Sequence, residues 1–318
     1  MSGFAYQIAA DGGATAQDIG AALDRDAPLV WVHLLTTADA AQTWLRDTAG
    51  LDAYLVDALT AAETRPRCEA LDAGAFLNLR GRSTEELPGS DPLASVRIWA
   101  SRGRVISVTR KDLIAVADVQ AQVEAGRIRD PGDIITAFAT AITTDLDPEV
   151  AELGDRLDTC EEGLDPDRIF DLRREVSGVR IAAINYRRFL SPQRQALEKL
   201  AALPGDWLGD DDRLHLSAAA DRAARMAEEL EAIRERAALT HEALTDLRAE
   251  QIDGRALVIS VVAMVFLPLT FLTGLYGMNV EGLPYAQRPW AFDAIAGLCV
   301  GIAVVVIGWF VRRHWFRG

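Results

Sequence analysis

Residues 256–279 read ALVISVVAMVFLPLTFLTGLYGMN, and none of them carries a charged side chain. The part from 256 to 276 makes about 30 Å of α-helix, which is the thickness of the hydrocarbon core of a bilayer. We therefore predict a first transmembrane helix over residues 256–276. It is followed by the tripeptide Gly277-Met278-Asn279.

A second uncharged stretch, residues 294–311, follows closely and predicts a second span over residues 292–311. A loop over residues 277–291 joins the two spans, and a basic tail over residues 312–318 ends the chain. Arginines precede the first span and follow the second, so the positive-inside rule places both termini in the cytoplasm and the loop outside. The chain is thus expected to be a multi-pass protein in contact with membrane lipid.

The residues before the first span divide into two predicted parts. Residues 1–146 alternate strand-like and helix-like patterns, which indicates a mixed α/β domain. Residues 147–255 change to long helical patterns and are predicted to form a stalk. One helix is expected to begin near Asp210 and to continue to residue 276. Soluble helices of this length need neighbours to pack against, which favours an oligomer.

The charge of the chain lies mainly in these first 255 residues, which hold 29 basic and 45 acidic side chains. Such a domain repels nucleic acid and anionic lipid and attracts cations, so no nucleic-acid partner is expected. An acidic surface also serves solubility alone, and charge does not separate the two interpretations.

The motifs of common enzymes and cofactor sites are missing from the sequence. The three cysteines and four histidines are too scattered for a structural zinc site, and no GxGxxG, GxxxxGK[ST], GxSxG or HExxH pattern occurs. We expect neither an enzyme nor a bound cofactor. The N-terminus has no signal-peptide pattern, so the acidic portion is expected to stay in the cytoplasm.

Several residues of the first span fall roughly on one helical face. A mostly apolar stripe of this kind suits a pore constriction that gates by dewetting, but it suits ordinary helix packing equally. The stripe consists of Thr270, Leu267, Ala263, Ile259 and Ala256. Asn279 at the membrane exit similarly fits either a turn or a ring of amide oxygens that contacts a hydrated cation.

The segment FLPLTFLTGLYGMN, residues 266–279, resembles the first transmembrane helix of the CorA metal-ion transporter family. The two C-terminal spans, the α/β N-terminus and the long stalk extend this resemblance over essentially the whole chain. It implies a funnel-shaped homopentamer in which the five first spans line a central pore and the second spans surround them. It also implies a selectivity ring at Gly277, Met278 and Asn279, with Thr270 in the pore.

Within the family, MVFLPLTFLTGLYGMNVEGLP (264–284) resembles a zinc-transporting branch. The soluble stretches WVHLL (31–35) and ETRPR (63–67) resemble that branch too. Glu281 stands where the branch usually has glycine, and an acid there is common in magnesium transporters of the family. The resemblance thus implies Zn²⁺ as the favoured cargo, with Mg²⁺, Co²⁺, Ni²⁺ or Cd²⁺ as alternatives, and Glu281 as a residue that attracts cations at the loop.

Four acids of the stalk recur at spacings of four, four and three, and they either face the lumen of the funnel or form a solvated helix face. These acids are Glu242, Asp246, Glu250 and Asp253. Neither span holds an ionisable residue apart from Asp293 at an edge, so the sequence does not distinguish a channel from proton-coupled transport. A membrane-tethered sensor or scaffold, in which the spans are only anchors, is the alternative of another class.

Overall fold

The computed structural model describes residues 2–23, 27–35, 39–62, 65–71, 74–84, 92–278, 283–285 and 288–315. The chain forms two compact units. The first comprises Met1–Gly163 with Leu172–His241, and the second comprises Leu164–Asp171 with Glu242–Gly318.

A seven-stranded sheet forms the centre of the first unit, in the order β2-β1-β3-β7-β6-β5-β4. Neighbouring strands are antiparallel except β3 and β7, which run parallel. The strands are β1 (Ser2–Ile8), β2 (Ala14–Gln17), β3 (Leu29–Leu35), β4 (Arg67–Leu71), β5 (Gly74–Arg82), β6 (Leu93–Ser101) and β7 (Arg104–Thr109).

β6 and β7 form a hairpin, with Ser101 paired to Arg104 across the turn. Gly103 has a φ of 73°, which a residue with a side chain adopts only at a cost. A Cβ at this position would also lie 2.9 Å from the carbonyl oxygen of Pro28. Glycine is therefore required for the tight connection between these two strands.

Helices cover both faces of the sheet. Helix α1 (Asp39–Thr43), a π-helical turn (Trp44–Thr48) and α2 (Ala53–Thr60) bury an apolar cluster against Val32, Ile106 and other residues of one face. On the other face lie α3 (Ile114–Glu124) and α4 (Pro131–Glu162), where Phe138 packs edge-on against Trp31 at 5.9 Å. The expected α/β class is confirmed.

Three long helices follow: α5 (Ile169–Ala201), α6 (Asp210–Tyr276) and α7 (Ala291–Trp315). The expected start and end of the 67-residue α6 are both confirmed. Helices α6 and α7 are the two in the described part of the chain that are long and apolar enough to cross a membrane. The predicted domain boundary after residue 146 lies inside α4, which continues past Pro148.

Cysteines occur at three places, and none is exposed. Cys68 and Cys160 are buried in the first unit, and Cys299 is half-buried on α7. Burial raises the pKa of the Cys68 thiol to about 11, so this side chain stays protonated at neutral pH.

His33 lies in the sheet among aromatic rings and is 4% exposed. Its Nδ1 lies 2.9 Å from Ser107 Oγ, which also accepts a hydrogen bond from Trp31 Nε1 at 2.9 Å. One tautomer of the neutral imidazole satisfies both contacts. In it the Ser107 hydroxyl donates its hydrogen to Nδ1, and the ring proton is on Nε2, 3.4 Å from Thr109 Oγ1. Burial lowers the pKa of His33 to about 4.

We predict that His33→Gln reduces the loss of stability on mild acidification. The pKa of the folded state lies below the unfolded value of 6.5, so the unfolded chain binds the proton first as the pH falls. The wild type should therefore lose about 2 kcal/mol of unfolding free energy through this residue between pH 7 and pH 5. Unfolding followed by circular dichroism at both pH values measures the difference.

His215→Gln is the matched control because His215 is exposed, with 56% of its side chain accessible. The control should show the same pH dependence as the wild type. Equal acid sensitivity in His33→Gln and the wild type would contradict the role assigned to His33.

Candidate ion-conducting segment

The predicted stripe on α6 is exposed along its whole length in the single chain. Leu267 is 76% exposed and Ile259 is 69% exposed, although both are large and apolar. Ala256, Ala263 and Thr270 are exposed as well. Nothing in the described part of the second unit covers this face.

A second stripe, on the other side of the same helix, is partly covered: Val265 is buried, and the other members are half-buried. At about 100° per residue its centre lies roughly half a turn from the centre of the first stripe. Helix α7 has a less exposed stripe of its own, and we infer that the two helices pack on each other along these faces. The α6 stripe is Val261, Val265, Pro268, Leu269, Leu272, Leu275 and Tyr276, and the α7 stripe is Ala291, Ile295, Cys299, Ile302, Ala303, Val306 and Phe310.

The hydroxyl groups of α6 differ in how they are satisfied. Ser260 donates to the carbonyl of Ala256 at 2.8 Å, and Thr273 donates to the carbonyl of Leu269 at 2.9 Å. The Thr270 hydroxyl, on the exposed stripe, has no hydrogen-bond partner among the described residues. It is thus the hydroxyl of this segment that remains available to water or to an ion.

Pro268 lies inside α6 without ending it. Since proline has no backbone N–H, the carbonyl of Met264 four residues earlier loses its donor within the helix. Leu267, Pro268, Thr270 and Phe271 line a shallow depression beside this point. The interruption therefore belongs to the other side of α6, but Pro268 borders the same depression as Leu267 and Thr270 of the exposed stripe.

At its C-terminal end α6 stops at Tyr276, and the Gly277 N–H donates to the carbonyl of Thr273 at 2.9 Å. Gly277 and Met278 are exposed. Asn279 and Glu281, predicted as the selecting and cation-attracting residues, lie outside the described residues. Beyond them Tyr285 has a φ of 57°, and its ring lies 5.5 Å from that of Trp290.

The four predicted stalk acids are all exposed on α6, and no ion pair involves them within the described residues. At about 100° per residue they share one side of the helix, which lies roughly a quarter turn from the exposed apolar stripe. On the same stretch, the Arg248 guanidinium lies 5.1 Å from the centre of the Phe170 ring. The acids and the stripe are thus not in line on a straight helix.

Comparison with known proteins agrees with this arrangement of a soluble α/β unit, a long helix and two apolar helices. The family model "CorA-like Mg2+ transporter protein" matches residues 26–313. The chain belongs to the CorA family. It is a divalent-cation transporter of that family, and its two apolar helices fit a membrane protein.

Similar CorA-family proteins cover nearly the whole chain. The zinc transport protein ZntB of Pectobacterium atrosepticum is 30% identical over 98% of this chain and 95% of its own. The divalent cation transporter CmaX of Pseudomonas aeruginosa is 34% identical over 90% of this chain and 87% of its own. A solved structure of full-length CmaX superposes with a TM-score of 0.79 at 32% identity, covering 98% and 97% of the two chains.

A cluster of carboxylates that the sequence did not predict lies in the first unit of this CorA-family chain. Oxygens of Asp130, Asp133 and Asp212 all lie within 4.8 Å of one another, close enough to hold a metal ion. Each carboxylate also accepts a backbone N–H: Asp130 from Asp133 at 3.0 Å, Asp133 from Arg129 at 2.7 Å and Asp212 from Gly209 at 2.8 Å. We interpret them as caps of the helices that begin there.

Asp212 is the buried member of the cluster, with 5% exposure. A Cβ on Gly132 would lie 2.0 Å from its carboxylate, so only glycine allows this approach to the start of α4. Burial, and then the nearby charges of Asp130, Asp133 and Asp211, raise the pKa of Asp212 to about 6, while the N–H of Gly209 opposes the change.

We predict that Asp212→Asn raises the unfolding temperature at pH 7.5 and that this advantage shrinks toward pH 5. The pKa in the folded chain lies above the unfolded value of 3.8, so the wild type loses stability as the pH rises through about 6. Asparagine keeps an acceptor for the N–H of Gly209. Thermal unfolding at the two pH values measures the effect.

The matched control is Asp210→Asn, because Asp210 is exposed in the same helical turn. It should behave as the wild type at both pH values. If millimolar Mg²⁺ or Zn²⁺ stabilises the wild type but not Asp212→Asn, the cluster is a metal site and the capping interpretation is wrong.

Proposed function

We propose that this chain is a homopentameric divalent-cation transporter of the cytoplasmic membrane, with zinc as the favoured cargo. The observation that carries the proposal is the uncharged face of α6 that stays exposed while the opposite face is covered. A helix in lipid has no reason to keep the unbonded Thr270 hydroxyl on a free face unless that face meets water or another copy. Five copies of α6 around a central axis provide both.

The proposed ion path begins outside the membrane. Glu281 attracts cations, and the ring of Gly277, Met278 and Asn279 selects among them through amide oxygens that contact the hydrated ion. The ion then passes Thr270 and the apolar residues of the stripe, which close the pore by dewetting. Inside, the stalk acids attract the ion electrostatically, from the side of α6 next to the stripe.

The basic residues around the spans support the proposed orientation. Arg248 and Arg255 precede the first span, and Arg312 and Arg313 follow the second, so both termini lie in the cytoplasm.

Zinc is favoured because a relative named for zinc transport matches almost the full chain, and because residues 264–284 resemble that branch. The second candidate is a magnesium, cobalt or nickel channel of the CorA type. Glu281 favours it, as does the magnesium named in the description of the family model. A third candidate, a tethered sensor, needs no conducting face at all.

We predict that Thr270→Val lowers zinc flux in proteoliposomes by about three- to tenfold, because a single hydroxyl contact to a passing hydrated ion is lost. Thr273→Val is the matched control: it removes a hydroxyl that already bonds to the carbonyl of Leu269, one turn away. Its flux should stay near that of the wild type. A zinc-sensitive dye inside the vesicles follows the flux.

Two leucines on opposite faces separate conduction from stability. Leu267→Ala on the exposed stripe should raise flux without lowering the unfolding temperature, since it widens the apolar constriction. Leu272→Ala on the covered stripe should lower the unfolding temperature instead, since it leaves a cavity against α7. If the wild type moves no ion, the tethered-sensor interpretation replaces the transporter. If the wild type moves zinc but neither Thr270→Val nor Leu267→Ala changes the flux, the exposed stripe does not line the ion path.

We predict that Zn²⁺ flux is inhibited by Co²⁺ and Ni²⁺ more strongly than by Mg²⁺, and that Glu281→Gly weakens inhibition by Mg²⁺ further. The acid adds attraction for a hard hydrated cation, and its removal leaves neutral amide oxygens. The competition assay is run with and without a pH gradient, so that proton coupling appears as gradient-dependent flux. Preference for Mg²⁺ in the wild type would overturn the zinc assignment and leave the fold untouched.

A further inference from the structure

A basic cavity of about 580 Å³ lies in the acidic first unit. Six cationic side chains line it, and none of the described lining residues is acidic. Because the first 255 residues carry 45 acids against 29 bases, such a concentration of positive charge is not expected from composition. The six are Arg65, Arg80, Arg97, Arg110, Lys111 and Arg188.

The register of the sheet brings three of these arginines together. Arg80 on β5 pairs with Ser95 on β6, and Arg110 follows the end of β7 beside the same residue. Arg97 lies two residues further along β6 and therefore on the same face. Charges that are distant in sequence thus meet at the end of one sheet face.

Arg97 is the most deeply buried of the three arginines on this sheet face, with 1% of the residue exposed. Its Nη2 lies 3.5 Å from the carbonyl of Ala62, just after α2, whereas its Nε and Nη1 have no partner in the described part of the chain. Burial, and then repulsion from Arg110 and Arg80, lowers the pKa of its guanidinium to about 10. One long contact to a carbonyl does not compensate a buried cation.

Capping of helix α2 accounts for only part of this geometry. Arg110 Nη1 donates to the carbonyl of Thr60, the last residue of α2, at 3.3 Å. A cap uses one N–H of each arginine and gives no reason for a large cavity or for the further cations around it. The remaining donors of Arg97 point to an anionic ligand.

We propose that this cavity binds a small molecule with two or more phosphate groups. Guanidinium forks match the oxygens of phosphate in geometry and charge, and several of them are needed for a multiply charged anion. The volume lies within the range of small-molecule sites. Phe189, with the Arg80 guanidinium 3.9 Å from its ring centre, adds a flat wall beside the cations. The cavity is lined by residues of the first unit, whereas the residues of the proposed ion path belong to the second.

The test is calorimetric titration of the full-length chain in detergent with potassium pyrophosphate and with ATP, in buffer without divalent cations. We expect the wild type to bind at least one of the two probes and Arg97→Met to bind about tenfold more weakly or worse, since two charged donors are lost. Without ligand, Arg97→Met should unfold at the same or a higher temperature because a buried charge is removed.

Arg104→Met is the matched control, since Arg104 is half-buried on β7, outside the cavity, and donates one hydrogen bond to the carbonyl of Ala49 at 3.3 Å. It should bind both probes as the wild type does. Arg110→Gln, a milder change within the cavity, should weaken binding if Arg97→Met fails to fold. Absence of binding by the wild type at millimolar probe and low salt, or an equal loss in Arg104→Met, would overturn the proposal.

Discussion

The packing that we infer for α6 on α7 determines which side of the first span is free. Val265 and Leu272 lie on the covered face of α6. Residues on the opposite face of the same stretch, such as Leu267 and Thr270, stay exposed. A helix surrounded by hydrocarbon gains nothing from burying one apolar side rather than the other. The shape of each side and its hydrogen-bonding groups therefore decide which side packs against a neighbouring helix. The covered side is a regular apolar stripe, whereas the free side carries the Thr270 hydroxyl and lies beside the interruption at Pro268.

Much of the fold was predictable because its signals are local. The long α6 is free of proline from its acidic start to Pro268, and β3, β5, β6 and β7 are rich in buried β-branched and aromatic residues. The strands β1, β2 and β4 were missed. β2 and β4 are short strands at the two edges of the sheet, and each pairs with its neighbour in sequence, so their place in the sheet defines them rather than an apolar pattern.

The structure of α4 explains why a domain boundary was predicted inside it. From Pro131 to Phe138 nearly every side chain is buried, because this part lies against the sheet. Beyond Leu146 the buried residues recur only every three or four positions, as Val150, Leu153 and Leu157 do. One helix thus carries two patterns of burial, and the predicted boundary after residue 146 falls where the first gives way to the second.

The exposed stripe was predictable from spacing, since its members share one helix. The basic cavity and the Asp130, Asp133 and Asp212 cluster were not, because strand register and helix ends bring together residues that are far apart in sequence. The roles of Asn279 and Glu281 stay predictions based on resemblance.

The sheltered cysteines have a consequence for any chain that handles soft metal ions. Zinc and its neighbours bind thiolate far more tightly than they bind amide or hydroxyl oxygen, so one exposed thiolate on the way would retain the ion and slow its passage. Cys68 and Cys160 are enclosed, and the raised pKa of Cys68 keeps that sulfur in the form that does not ligate. None of the three cysteines is therefore an exposed thiolate that would retain a thiophilic cation.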